Sequence, residues 1–287
     1  MAAVRATIVW PRSATMTSPS ILHRLAFVAA MFIAVNPASG ADPACKAESG
    51  RQTVALVELY TSEGCDSCPP ADRWLSSMFA PGDSGGAAVS AIPVAFHVDY
   101  WDRLGWKDRF AAPAWTKRQY DSARAARSDL VYTPQVLLQG RDLRDWHADK
   151  RSAAAIAAAG RTPARADIAL EITPQSGAVV VDAIVHVAVA ANRKDAALFV
   201  ALTESGLVSE VKAGENKGKR LVHDHVVRDL RNIAIGPGGD GAGRVVLPLP
   251  AEAGKSSAIV AFVQNVDTGD VLQTLSLPLS AACSPVR

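Results

Sequence analysis

The sequence has no long run of lysine or arginine, no internal repeat and no low-complexity tract. The first absence removes the usual electrostatic footprint of nucleic-acid binding, and a net charge of +2 with a pI near 8.4 does not restore it. Beyond residue 40 no segment is long and apolar enough to span a membrane. Cysteine is scarce, four in 287 residues, and none stands where an exported chain would be processed, so a lipid anchor on cysteine is not indicated. What remains is 49% hydrophobic and 20% charged, enough to bury sizeable cores, at a length that fits two domains.

The N-terminus reads as a secretory signal. His23 and Arg24 precede the apolar run Leu25 to Val35, which has the length of a signal core and is too short for a membrane span. Asn36-Pro37 and the small residues Ala38 and Gly40 follow, placing cleavage before Ala41, and Met16 is a second candidate start. The expected organisation is a signal at 1–40, a first domain at 41–163 and a second at 164–287, in a periplasmic or secreted bacterial protein. All four cysteines lie beyond the signal, an even number that suits an oxidising compartment. Cys45 and Cys283 lie near the two mature ends and are expected to pair. In the chain-entropy model so long a closed loop stabilises by roughly 4–5 kcal/mol.

The chain is organised around Glu58 to Pro70. An apolar run ending at Tyr60 leads through a short turn to Cys65-x-x-Cys68 and then to helical spacing at Trp74, Leu75, Met78 and Phe79, stopped by Pro81-Gly82. A helix starting near Cys65 or Ser67, with Pro69 and Pro70 in its first turn, would put the first thiol beside unpaired N–H groups and the positive end of the helix dipole. Both favour the thiolate. Cys65 is then the nucleophile, and Cys68 resolves the mixed disulfide.

Strand (52–60), C-x-x-C helix, strand (92–98), helix (113–127), Thr133-Pro134 with a strand, and helix (150–160) together resemble the thioredoxin fold. Beyond a linker at 161–165, seven candidate strands without intervening helices suggest an antiparallel sandwich: 168–172, 178–190, 196–203, 220–227, 243–249, 258–264 and 271–279. The expected fold is therefore an α/β thioredoxin-like domain followed by an all-β, sandwich-like domain. The thioredoxin resemblance implies a cis bond at Thr133–Pro134, with both residues positioning a substrate chain. It also implies a buried acid that accepts the proton of Cys68. Glu58 is the candidate, against the plainer reading of a carboxylate paired with Arg73, Arg103 or Lys107.

Longer stretches are similar to a secreted bacterial family called domain of unknown function 1223. They are Val57 to Asp72 with its C-x-x-C, Phe96 to Asp102, Leu104 to Asp108, Val131 to Gln135, Leu221 to Asp224, Val226 to Arg228 and Val260 to Gln264. The resemblance implies a thioredoxin-like domain with an appended β domain, and no settled activity.

The function expected is thiol–disulfide exchange on protein thiols with a redox partner and no cofactor. Asp66 between the cysteines opposes a thiolate, which leans toward a reductase or isomerase. Two alternatives stay open: a Cu(I) chaperone using Cys65, Cys68 and His97, and a binding module in which Cys65–Cys68 is a permanent disulfide. Trp101, Trp106 and Trp115 are candidates for a peptide groove or for a small core of their own. His223 and His225 are candidates for a metal pair or a solvated strand face.

Overall fold

A computed structural model describes residues 45–78, 91–250, 256–279 and 283. The expected signal at 1–40, the helix stop at 81–82 and the loop after it lie outside these residues. None of the described helices is long and apolar enough to cross a membrane.

The first half runs β1 (Lys46–Glu48), β2 (Ala55–Thr61), α1 (Pro69–Met78), β3 (Ala91–His97), α2 (Pro113–Ala125), β4 (Gln135–Leu138), β5 (Arg141–Asp142) and α3 (Asp149–Ala159). The second half is all strand apart from one 3-10 turn. It runs β6 (Asp167–Gln175), β7 (Ala178–His186), β8 (Ala196–Ser205), β9 (Leu207–Glu210), β10 (Arg220–His223), β11 (Val226–Ala234), β12 (Asp240–Pro248), β13 (Ser256–Asn265) and β14 (Val271–Pro278).

These strands form three sheets. An eight-stranded mixed sheet has the order β14-β13-β8-β11-β3-β2-β4-β5, and a four-stranded sheet has the order β1-β6-β7-β12. The third sheet is the hairpin β9–β10, whose two strands pair only with each other. β2 lies parallel to β3 and antiparallel to β4. All seven residues of β2 are buried, which is why it reads as a continuous apolar run rather than an alternating one.

The expectation of an α/β thioredoxin-like domain followed by a separate all-β domain is overturned. Strand outweighs helix among the described residues, with fourteen strands against three α-helices. The large sheet does not stop at the expected boundary: β11 of the second half hydrogen-bonds directly to β3 of the first. One face of this sheet carries a single core drawn from both halves, with Leu56, Tyr60, Phe96 and Leu137 beside Ala201, Val227, Val260 and Phe262 under Trp115 of α2. On the opposite face, Val57, Leu59 and Val136 pack against Ala71, Trp74 and Leu75 of α1 and Ile156 of α3. Farther along, Leu198, Val200, Leu202, Ile259 and Val263 pack against Ile168, Leu170, Val179 and Val181 of the four-stranded sheet. Strand alternation sorts neighbouring residues onto these opposite faces. A disulfide joins Cys45 to Cys283 with Cα atoms 5.5 Å apart.

Several strands were not legible as such: β1, β5 and β9 fall outside every expected strand, and β10 and β11 depart from theirs. The stretch 220–227 is broken by a turn at Asp224-His225, where His225 takes φ +58°, so it splits into β10 and the start of β11. The rest of β11, Arg228-Asp-Leu-Arg-Asn, is too polar to read as a strand, although from Asp229 on it pairs with β8.

Candidate functional site

Cys65 and Cys68 form a disulfide in the turn that opens α1, and both residues are 0% exposed. The turn is built by local bonds: Cys65 N–H donates to Ser62 C=O and Cys68 N–H to Cys65 C=O. The helix itself begins at Pro69, one residue after the pair. Its first-turn donors are not available to a sulfur. Pro69 and Pro70 have no N–H, and those of Ala71 and Asp72 both go to the Cys68 C=O. The expected cradle of helix N–H groups around Cys65 is thus absent, and what favours the thiolate is the helix dipole with the Ser67 hydroxyl, 3.4 Å from Cys65 Sγ.

Trp101 links this turn to the other expected landmark. Its Cβ would lie 3.0 Å from a side chain added at Gly64, and its indole N–H donates to Thr133 Oγ1 at 2.7 Å. The Thr133–Pro134 bond is cis. The C-x-x-C turn and the Thr-Pro turn therefore stand on either side of one tryptophan.

Around the turn lies a buried set of titratable groups drawn from α1, β3, β10 and two loops. Glu63, Asp72, His97, Asp108 and His223 are each at most 8% exposed. His97 Nδ1 and Asp108 Oδ2 are 2.7 Å apart. Asp108 also accepts the backbone N–H groups of Glu63 (2.9 Å) and Phe110 (2.9 Å). Glu63 accepts the Trp106 indole N–H at 2.7 Å and lies 3.3 Å from His223 Nε2. His223 Nδ1 is 4.0 Å from Asp72, and the rings of His97 and His223 meet edge to face at 4.8 Å.

Burial pushes the Asp108 carboxyl up, but the charge and hydrogen bond of His97 overcome it and hold the group down at about 2. Burial opposes the charged form of His97, and Asp108 overrides it, so the imidazole is held above its ordinary value. Glu63 is held low against burial chiefly by His223. Asp72 goes the other way, because burial outweighs its two histidines and raises it. The carboxyls of this one cluster are thus driven in opposite directions by their surroundings.

Glu58 does not belong to this set. It shares a face of β2 with Leu56 and Tyr60, whereas α1 packs on the face of Val57 and Leu59. It pairs with Arg118 of α2 at 2.7 Å, a partner outside Arg73, Arg103 and Lys107, and accepts the Tyr60 hydroxyl at 3.2 Å. A proton relay from Glu58 to Cys68 is therefore corrected: the sheet separates them.

His97 is a strand-end histidine bonded to Asp108, and the copper set of Cys65, Cys68 and His97 is not assembled. The two sulfurs bond each other, and among the described residues no three His, Cys, Asp or Glu are arranged to hold a metal ion. The three tryptophans do not make a groove either. Trp115 lies in the core, and Trp101 and Trp106 point their indoles at Thr133 and Glu63. His223 is buried, and His225 sits in the turn after β10, so they form neither a metal pair nor a solvated face.

The residues missed were Glu63, Asp72 and Asp108, which sit inside the conspicuous motifs, and Asn216, which no spacing marks. Asn216 is 0% exposed, and its side-chain amide donates to the C=O of Glu63 (2.9 Å) and of Cys65 (2.8 Å).

The family described as protein of unknown function DUF1223 matches residues 56–264. The chain belongs to that family. Every part of the site just described, from Glu63 to His223, falls within the matched stretch of this DUF1223 protein. Protein AGR_C_4864 from Agrobacterium tumefaciens, a crystal structure, is 26% identical with a TM-score of 0.54, covering 80% of this chain and 96% of that one. HBP35 of Porphyromonas gingivalis is 13% identical with a TM-score of 0.58, covering 79% of this chain and 76% of that one, a likeness of fold alone. None of the curated proteins matches.

Proposed function

We propose that this DUF1223 protein is an exported, periplasmic thiol–disulfide oxidoreductase acting on protein thiols. The observation that carries the reading is a C-x-x-C disulfide beside a buried cluster in which the Asp72 carboxyl is driven up and the Asp108 carboxyl, bonded to His97, is driven down. Two intact disulfides and the lack of a membrane-spanning helix among the described residues are consistent with an oxidising compartment outside the cytosol. In the reducing direction, the Cys65 thiolate attacks a sulfur of the partner's disulfide, and one partner thiolate leaves. Cys68 then gives up its proton and attacks Cys65, releasing the second partner thiolate. Two electrons pass to the partner, Cys65–Cys68 closes, and a dithiol-class reductant must reopen it. Asp72, held above its ordinary value one helical turn from Cys68, is the group available to take the proton.

A Cys68→Ser variant tests this directly. It should accumulate mixed disulfides through Cys65 that mass spectrometry of exported protein can identify. No adduct beyond that of the Cys65→Ser/Cys68→Ser variant, together with no reduction of insulin by the wild type, would refute it. A second reading draws on one observation, the complete burial of both cysteines. In it the pair is a permanent disulfide and the protein is a binding module. Resistance of Cys65–Cys68 to excess dithiothreitol under native conditions distinguishes this case.

A further inference from the structure

A buried disulfide exchanges only if something uncovers it, and the covering element is identifiable. The hairpin β9–β10 pairs with neither larger sheet, so lifting it breaks no ladder of either. Its connecting loop, residues 211–219, turns at Gly214 and Gly218, both at positive φ (+72° and +82°). Between them Asn216 is inserted over the C-x-x-C turn. Both of its amide bonds go to backbone carbonyls of that turn, and Lys219 Nζ donates to its Oδ1 at 2.8 Å. Glu215 accepts the Asp66 N–H at 3.2 Å. A Cβ at Gly214 would lie 3.3 Å from Trp106 Cβ, so the loop lies directly against that tryptophan. The roots of the hairpin are tied as well: Arg109 donates to Val208 C=O at 2.9 Å, and His223 ends β10 beside Glu63 and Asp72.

We propose that the β9–β10 hairpin is a displaceable cover over the Cys65–Cys68 disulfide and that Asn216 is its latch. The two carbonyls that Asn216 caps are bonded by water once the loop lifts, so the latch favours the closed state alone. Opening is local, because the hairpin contributes no strand to either larger sheet. This deepens the oxidoreductase reading, but its test needs no protein substrate, so an empty Cys68→Ser trap leaves it standing and its own failure leaves the trap informative.

The test is the native-state reduction rate of Cys65–Cys68 by tris(2-carboxyethyl)phosphine. The phosphine attacks one sulfur, the S–S bond breaks, and one water gives its oxygen to phosphorus and its protons to the two thiols. When opening precedes attack, the rate follows the opening equilibrium. Asn216→Ala should then speed reduction about tenfold, the effect of losing two ordinary hydrogen bonds from the closed state alone. Asn216→Asp sets an oxygen against both carbonyls and should speed it at least as much. Lys212→Ala, at an exposed site on the same loop, should leave the rate unchanged. Wild-type rates in both Asn216 variants would overturn the proposal. Should either variant fail to fold, the wild type decides the matter through urea. Reduction nearly independent of low urea supports a local cover, and reduction that follows the full unfolding slope overturns it.

Discussion

Glu58 gives the sharpest test of how the large sheet partitions chemistry. Its side chain is fully buried, and so is nearly all of Arg118, whose guanidinium lies 5.1–5.3 Å from the rings of Phe96, Phe199 and Phe262. Changing Glu58→Gln keeps the shape and removes the only carboxylate bonded to that cation among the described residues. Arg118 would remain charged among three aromatic rings, with Gln264 at 3.1 Å as a neutral acceptor. Breaking a buried pair in this way costs about 3–5 kcal/mol, because the surviving charge has lost its compensation. At about 2–4 °C per kcal/mol for a unit of this size, the melting temperature should fall by roughly 6–20 °C. Removing both charges, Glu58→Gln with Arg118→Met, should cost clearly less than the two single changes added together, which a double-mutant cycle by urea unfolding measures. The reduction rate of Cys65–Cys68 in native buffer should stay near wild type, since Glu58 faces α2 and not α1. A Glu58→Gln protein that melts normally but exchanges thiols slowly would refute the reasoning and restore Glu58 as a proton relay.

The buried cluster predicts opposite effects from two similar changes. Asp108→Asn should lower stability at pH 7 and bring the His97 titration down toward its ordinary value in an NMR series, and an unmoved His97 would contradict this. Asp72→Asn should stabilise at pH 7, because a carboxyl held above its ordinary value is penalised when charged. The pH window follows from the same directions. The Asp108 contribution is present above its unfolded value near 4 and is lost as pH falls toward about 2. The His97 contribution is complete below about 6.5 and is lost as pH rises through its higher folded value. Cys45→Ser with Cys283→Ser opens a loop with a sequence separation of 238 and should cost about 5 kcal/mol on the chain-entropy estimate, read as a lower urea midpoint. Gly140→Ala should destabilise strongly, since φ is +77° and the new Cβ would stand 2.0 Å from the Gly269 carbonyl oxygen, while Gly50→Ala meets open space and should be neutral.

Most elements of the first half, though not the short strands β1 and β5, were legible because each carries its own signal. The Val54 to Tyr60 run, the paired prolines after Cys68 and the Ala-rich stretch before Gly160 mark β2, the start of α1 and α3 within a few residues. The fusion of the two halves was not legible, because it rests on pairings that leave no periodic trace. The joint between β11 and β3 is a single registered pair, Val226 with Ala95, reinforced by Ala95 N–H donating to His225 C=O. Glu58 misled for a related reason. Closeness in sequence to Cys65 implies nothing about which face of a strand a side chain takes, and the period of two put it with Tyr60 and Arg118.

The same joint explains why the second half cannot be treated as an appendage of the C-x-x-C turn. The turn from β10 to β11 is anchored through Ser205, whose hydroxyl accepts the His225 N–H at 2.9 Å, and β11 is clamped to β8 by the pair of half-buried Arg228 with buried Glu204. That anchoring fixes where the hairpin leaves the sheet, and the hairpin carries His223 to Glu63 and Asn216 to Cys65. A first half cut at residue 163 would keep both cysteines but lose one of the two histidines of the buried cluster and the amide bonded to the Cys65 carbonyl. It would also expose β3 as an open edge of apolar strand, a surface prone to pairing with other chains. The C-x-x-C turn and the strands that follow it are thus one site in physical terms. The two sulfurs come from the first half, and the amide bonded to the Cys65 carbonyl and one histidine of the buried cluster come from the second.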